Sequence, residues 1–248
     1  MEPSYHALLL VDERTRLSRP RCKRLRAVAN YFAQRRQSSV IARRMAILPL
    51  VLASASPRRL ELLYQVGVRP EVRPADIDET QAPDEPALAY VCRLAEQKAR
   101  RVLAEVPPGR LVLGADTIVH VGAEVGPGLI LGKPTDEADA RTMLARLSGG
   151  SHRVVTGYYL CGHPPVVARG RSVATTVTFR VLSDAEIDGY VRSGEWRGKA
   201  GGYAIQGLAG AMVSSVSGSY TNVVGLPVCE VLEDLRALGG LSPDWPAS

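Results

Sequence analysis

Residues 50–63 read LVLASASPRRLELL, and this stretch decides the fold class. Leu50 to Ala53 is a short apolar run of strand character, and Ser54 and Ser56 lie in a turn. Pro57 then stands where a helix begins, a position proline favours because its missing N–H costs nothing there. The first helical turn nevertheless carries Arg58 and Arg59, although the positive end of the helix dipole prefers acids. Unpaired N–H groups, two hydroxyls and two guanidinium groups at one helix N-terminus make an anion site, and the charge and spacing suggest a polyphosphate. In the plainer alternative, Ser56 caps the helix while the arginines are solvated or pair with Glu61.

Outward from this stretch, elements alternate without an internal repeat. A second strand near VRPEVRP (68–74) leads to an acidic loop, ADIDET (75–80). A long helix from about Glu85 to Glu105 follows, with Leu88, Val91, Leu94, Ala95, Ala99 and Val102 on one apolar face. The strand LVLGADTIVHV (111–121) passes through a glycine-rich hairpin to LGKP (131–134), and a helix runs across TDEADARTMLARL (135–147). SHRVVTGYYLCG (151–162) and RSVATTVTFRVL (171–182) read as a β-ribbon, and Ser183 with Glu186 marks a capping box at the next helix. GKAGGYAIQG (198–207), a strand AMVSSV (211–216) and a helix PVCEVLEDLRAL (227–238) close the pattern. The expected fold is α/β: a single domain with a twisted mixed β-sheet flanked by helices and a cleft at the strand ends.

The net charge of +6 suggests a nucleic-acid partner until it is mapped. Residues 1–46 hold eleven Lys/Arg against three acids, which leaves twenty against twenty-two for the rest. The basic character therefore belongs to an appendage of 46 residues without sustained apolar periodicity, expected to be disordered, with Met45 the natural initiator. A transit peptide and a nucleic-acid-binding arm are the alternatives for it. The folded domain spans 47–238, and GGLSPDWPAS (239–248) reads as a flexible tail. A core that is net negative, in a chain only 5% aromatic, argues against stable nucleic-acid binding. No apolar run is long enough for a membrane span. The four cysteines, Cys22, Cys92, Cys161 and Cys229, have neither C-x-x-C spacing nor histidines at metal-ligand offsets; they read as reduced thiols of a cytoplasmic protein.

Three further residues stand out. Asp116, in LGADT, follows Gly114 and Ala115 at the C-terminal end of a strongly apolar strand, where open α/β sheets place ligands, although an isolated strand-end aspartate is often a turn former. Lys98 lies four residues after Leu94 on the border of the helical apolar stripe, reaching inward or snorkelling outward. Lys133 is presented before a proline in a glycine turn, which suits a phosphate contact as well as it suits solvent.

Taken together, LASASPRRLELL, ADIDET, RLAEQKA, LGADTIV, LGKP, LSGGSHRVVTG, KAGGYAIQG and GSYTNVVGLP, in this order from about residue 48 to residue 238, resemble the successive motifs of the Maf family of nucleoside triphosphate pyrophosphatases. Residues 1–46 lie outside the pattern. Gly198 stands where an acid is expected and Gly202 replaces a usual alanine. The resemblance implies hydrolysis of the α–β phosphoanhydride to a nucleoside monophosphate and pyrophosphate with a divalent cation, Mg²⁺ or Mn²⁺. It implies Asp116 as proton acceptor and metal ligand, Glu79 as its partner at the metal, and Ser54, Ser56, Arg58, Arg59, Lys98 and Lys133 as the phosphate cradle. On residue type alone, Glu79 beside Asp76 and Asp78 is equally a solvated acidic loop. A homodimer is also implied, though no decisive interface stripe is present.

The family divides by base. The group acting on dTTP and UTP has Arg after SP, Thr after GAD and Gln in IQG, which this chain resembles at Arg58, Thr117 and Gln206; the group preferring 7-methyl-GTP carries Trp, Gln and Glu-type residues near those places. A carboxamide can accept from the N3–H of uracil or thymine and donate to a ring carbonyl, whereas cationic 7-methylguanine is better served by a carboxylate and an aromatic face. The expected function is therefore pyrophosphatase action on dTTP and UTP, and on modified pyrimidine nucleotides, as a cleaner of the nucleotide pool. The other readings are a 7-methyl-GTP pyrophosphatase and a non-catalytic nucleotide-binding regulator of cell division.

Overall fold

The structure, a computed structural model, describes residues 47–122, 128–242 and 244–246; the expectations for the basic extension fall outside these residues. Along the chain lie β1 (Leu50–Leu52), α1 (Pro57–Gln65), β2 (Glu71–Val72), α2 (Ala87–Leu103), β3 (Leu111–Val121), β4 (Leu129–Leu131), α3 (Glu137–Leu147), β5 (Ser151–Gly162), β6 (Arg169–Phe179), α4 (Asp184–Ser193), β7 (Val213–Ser217), α5 (Tyr220–Val224) and α6 (Val228–Ala237). The strands make one sheet in the order β2-β1-β3-β5-β6-β7, with β4 also beside β3. β1 is parallel to β2 and β3, and all other pairs are antiparallel, so the sheet is mixed as expected.

Alternation along the central strands sorts side chains into two layers. Leu50, Leu52, Leu111 and Leu113 pack with Leu62 and Leu63 of α1 and with Val231 and Leu235 of α6. Val51 and Val112 face the other way, under Ala99 and Val102 of α2. A second large cluster, with Val119, Val154, Val177 and Phe179 at its centre, carries α3 and α4. The capping box expected at Ser183 and Glu186 is present. Among the described residues no helix is long and apolar enough to cross a membrane.

Three expectations are corrected. Leu88 does not belong to the buried face of α2; it is 53% exposed, one turn before Val91, where that face begins. The described part of the flexible tail expected at 239–248 is tied to the domain, beginning with Gly239 O, which accepts from Leu48 N at 2.9 Å. Leu241 enters the core, and Trp245 Nε1 donates to Val66 O at 2.8 Å. Asp116 is also not at a strand end, because β3 continues to Val121.

The position of Asp116 follows from β3 having three partners. β1 pairs with residues Leu111 to Leu113, β4 with Val119 to Val121, and β5 covers the opposite edge from Leu111 to His120. Between β1 and β4, residues 114–118 have no strand beside them on that edge. The cleft opens into this gap, just beyond the end of β1.

Candidate active site

The gap admits side chains from both layers. Asp116 shares a face of the sheet with Val112 and Gly114, toward α2, whereas Thr117 turns to the opposite face, toward α1. The α2 helix lies close against β3 and β5: a Cβ on Gly114 would come within 2.2 Å of Ala95 O, and one on Gly157, the register partner of Asp116, within 2.7 Å of Val91 O. Glycine at these two places lets the helix approach, and Lys98 reaches the strand as a result. Its ammonium is buried and donates to Asp116 Oδ1 at 2.7 Å, with Glu79 Oε1 also at 2.7 Å. The inward reading of Lys98 therefore holds, and Glu79 is no free solvated acid. Lys133 Nζ stands 3.9 Å from Glu79 Oε2 and is largely exposed. Burial works to raise the Glu79 pKa, but the Lys98 hydrogen bond and the charges of Lys98, Lys133 and Arg59 together hold it below the ordinary glutamate value.

On the other face, Arg59 is buried and its guanidinium is held at three points: Nε donates to Gly225 O at 2.8 Å, Nη1 to Ser54 Oγ at 2.9 Å and Nη2 to Thr117 Oγ1 at 3.0 Å. All three acceptors are neutral, so its charge is oriented without being cancelled. Burial pushes its pKa down, against the pull of Asp116 and with repulsion from Arg58. The half-buried Arg58 donates from Nε to Val224 O at 3.3 Å. The Ser56 side chain makes no cap bond, and its backbone N–H donates to Ser54 Oγ at 3.2 Å. The plain capping alternative is not what the structure shows, and no ion pair joins either arginine to Glu61 among the described residues.

The α5 helix was missed in the sequence, and it supplies the Val224 and Gly225 carbonyls that aim both arginines. Its signal was there: Ser219 accepts from Asn222 N as an N-cap, and Gly225, at φ 131°, ends the helix. Asn222 is fully buried and donates to Val154 O and Thr175 Oγ1, both at 3.0 Å, which fixes this helix to the sheet.

These groups line one cleft of about 560 Å³, together with Gln206 and the glycine-rich segment from Gly198 to Ala200. Gly198 and Gly202, the two departures from the family pattern, both have positive φ, near 70°, which glycine adopts without strain. Every candidate residue from the sequence, Ser54, Ser56, Arg58, Arg59, Glu79, Lys98, Asp116, Thr117, Lys133 and Gln206, lies on the cleft wall. Six cationic side chains line it against two carboxylates, an excess of four positive charges; Arg197 and Lys199 are the two cations that the sequence reading did not single out. Val119, Val154, Val223, Ile205 and Tyr203 are among the residues that add apolar surface. Such a cleft can hold a polyanion attached to a flat, partly apolar group.

The family pattern described as Maf-like protein matches residues 49–238. A dTTP/UTP pyrophosphatase of Caulobacter vibrioides is 54% identical over 191 residues, covering 77% of this chain and 95% of that protein. One from Geobacter sulfurreducens is 51% identical over 192 residues, covering 77% and 97%. One from an Anaeromyxobacter species is 52% identical over 201 residues, covering 80% and 93%. Among solved structures, the Staphylococcus aureus Ham1 protein overlaps 53% of this chain and 71% of its own at a TM-score of 0.38 and 15% identity.

Proposed function

This chain belongs to the Maf family, and from that premise we propose that it is a nucleoside triphosphate pyrophosphatase hydrolysing dTTP and UTP to the monophosphate and pyrophosphate. The observation that carries the reading is the carboxylate of Asp116, bonded to Lys98 at 2.7 Å, in a cleft whose walls carry four positive charges in excess. A triphosphate with about four negative charges matches that excess.

The chemistry follows from the geometry. Arg59, oriented but not neutralised, and Arg58, Lys98 and Lys133 draw the phosphates toward the gap in β3, and Ser54 and Ser56 add hydroxyls beside the N-terminus of α1. Water attacks the α-phosphorus, the bond to the bridging oxygen breaks, and pyrophosphate leaves. The water's proton passes to Asp116, whose Oδ2 remains once Oδ1 has accepted from Lys98. Cations on both sides of the anhydride lower the cost of the charge that builds on the leaving oxygens.

Two carboxylates, Glu79 and Asp116, form a hard oxygen donor set with no histidine or thiolate beside it. Among the described residues no group of three or more potential ligands is gathered. This suits Mg²⁺ or Mn²⁺ that takes its remaining ligands from phosphate and water, and it does not suit zinc. Held by Glu79 and Asp116, such an ion would neutralise charge on the triphosphate.

Gln206 on the cleft wall supports uracil and thymine over 7-methylguanine, since its amide can both accept and donate. The family resemblance supports a homodimer, checked by the mass in solution scattering. Three free thiols among the described residues support a reducing, cytoplasmic setting. A core that carries less cationic than anionic charge supports the absence of stable nucleic-acid binding. The basic segment 1–46 is read as separable from the domain 47–238, which a chain shortened to Met45 would test by retaining turnover.

The deciding experiment is pyrophosphate release from a panel of nucleoside triphosphates with Mg²⁺ and Mn²⁺. Fast release from dTTP and UTP is expected. A profile led by 7-methyl-GTP, or no turnover of any nucleotide, would refute the reading.

A further inference from the structure

We propose that Lys199 is a substrate-binding residue that, together with Arg58, grips the polyphosphate in the cleft both share with Lys98; the proposal rests on the nucleotide reading above. Lys199 and Arg58 line the same cleft, and neither forms an ion pair among the described residues. The Lys199 ammonium makes a single hydrogen bond, to Arg197 O at 3.2 Å, and the side chain is only partly exposed. Glu195, the nearby acid, makes no ion pair with Lys199 among the described residues; its Oε2 accepts from Leu208 N at 2.9 Å. Burial pushes the Lys199 pKa down, Arg58 adds to this by repulsion, and Glu195 only partly opposes it.

Two cations that line one cleft, neither with an ion-pair partner among the described residues, raise the free energy of the empty cleft, and an anion entering it relieves that cost. The backbone that presents Lys199 is not free to swing it away. Gly198, Gly201 and Gly202 all have positive φ, and Gly201 N donates to Gly132 O at 2.9 Å, tying this segment to the turn of Lys133. A Cβ on Gly201 would come within 2.8 Å of Val119 Cγ2, so the turn is pressed onto β3. Just beyond it, Tyr203 is edge-on to Phe179, with ring centroids 4.9 Å apart, and its hydroxyl meets His152 Nε2 at 2.8 Å. The loop is thus a fixed mount for a cation, and the three pyrimidine-discriminating positions do not include it.

The test is calorimetric binding of three probes to the full chain and to Lys199→Met and Lys199→Arg: a dTTP analogue with a methylene in place of the α–β bridging oxygen, inorganic tripolyphosphate, and thymidine. Lys199→Met should bind the analogue and tripolyphosphate about tenfold to a hundredfold more weakly, the loss of one charge-assisted contact, with thymidine unchanged and Lys199→Arg close to wild type. Equal binding of both phosphorylated probes by wild type and Lys199→Met would overturn the role of Lys199 and leave the nucleotide reading standing. An equal loss for thymidine would also overturn it, because Lys199 would then only shape the loop. Wild type that binds none of the probes would overturn both readings.

Discussion

Lys98 Nζ donates to Asp116 Oδ1 at 2.7 Å across a helix–strand contact so close that residue 114 has no room for a side chain. The carboxylate and the ammonium are placed by packing in the backbone layers, not by flexible loops. Replacing Gly114 by alanine drives a methyl group into Ala95 O and Ala99 N, which are helix backbone and cannot give way. Overpacking of this kind costs about 1–3 kcal/mol. The variant should unfold at lower denaturant and lose turnover beyond what its folded fraction explains, because α2 is pushed away with Lys98 on it. Wild-type kcat in the folded fraction would show that this approach is not what sets the pair.

Asp116→Asn keeps the shape of the side chain but cannot take the water's proton and is a poorer metal ligand. Turnover should fall by roughly a hundredfold or more. Nucleotide binding, carried by the cationic walls, should change little. Parallel measurement of pyrophosphate release and of binding of the methylene analogue separates the two.

Gln206→Glu removes an amide donor and sets a carboxylate toward the pyrimidine carbonyls, without touching the phosphate wall. Activity on dTTP and UTP should drop relative to 7-methyl-GTP, seen as a changed ratio of kcat/KM. An unaltered ratio would place base recognition elsewhere in the cleft.

His152 is buried behind Tyr203, and burial lowers its pKa to about 4. The unfolded chain, near the ordinary value of 6.5, binds a proton that the folded protein refuses between pH 6.5 and 4. This contribution to stability is therefore intact above pH 6.5 and is lost as pH falls toward 4. His152→Gln has no such titration, so its melting temperature should decline less steeply than that of wild type across this window. Parallel curves for the two proteins would assign the acid sensitivity to other groups.

Much of this architecture was legible from local pattern. β3 and β5 were bounded correctly, at 111–121 and 151–162, because long apolar runs flanked by turn residues leave little choice, and the capping box located α4. What escaped depends on partners far along the chain. The bonds from Arg59 to Gly225 and from Trp245 to Val66 span 166 and 179 residues, and no periodicity announces them. Lys98 fared differently from Leu88: Lys98 looked ambiguous and is buried, while Leu88 looked buried and is not, since the buried face of α2 begins at Val91, past its first turn. Lys199 stands in a glycine-rich motif with no periodicity to mark it, and its relation to Arg58 exists only after folding.

The interruption on one edge of β3 has a consequence for how rigidity and access coexist. Strand alternation turns the peptide groups of Leu111 and Leu113 toward β1 and of Val119 toward β4, which leaves those of Ala115 and Thr117 on the edge between the two strands. Those peptide groups forgo a neighbouring strand on that edge. The reactive centre thus borrows the stiffness of a central strand while keeping an unzipped seam, and a bound molecule, instead of another length of chain, is what can close it.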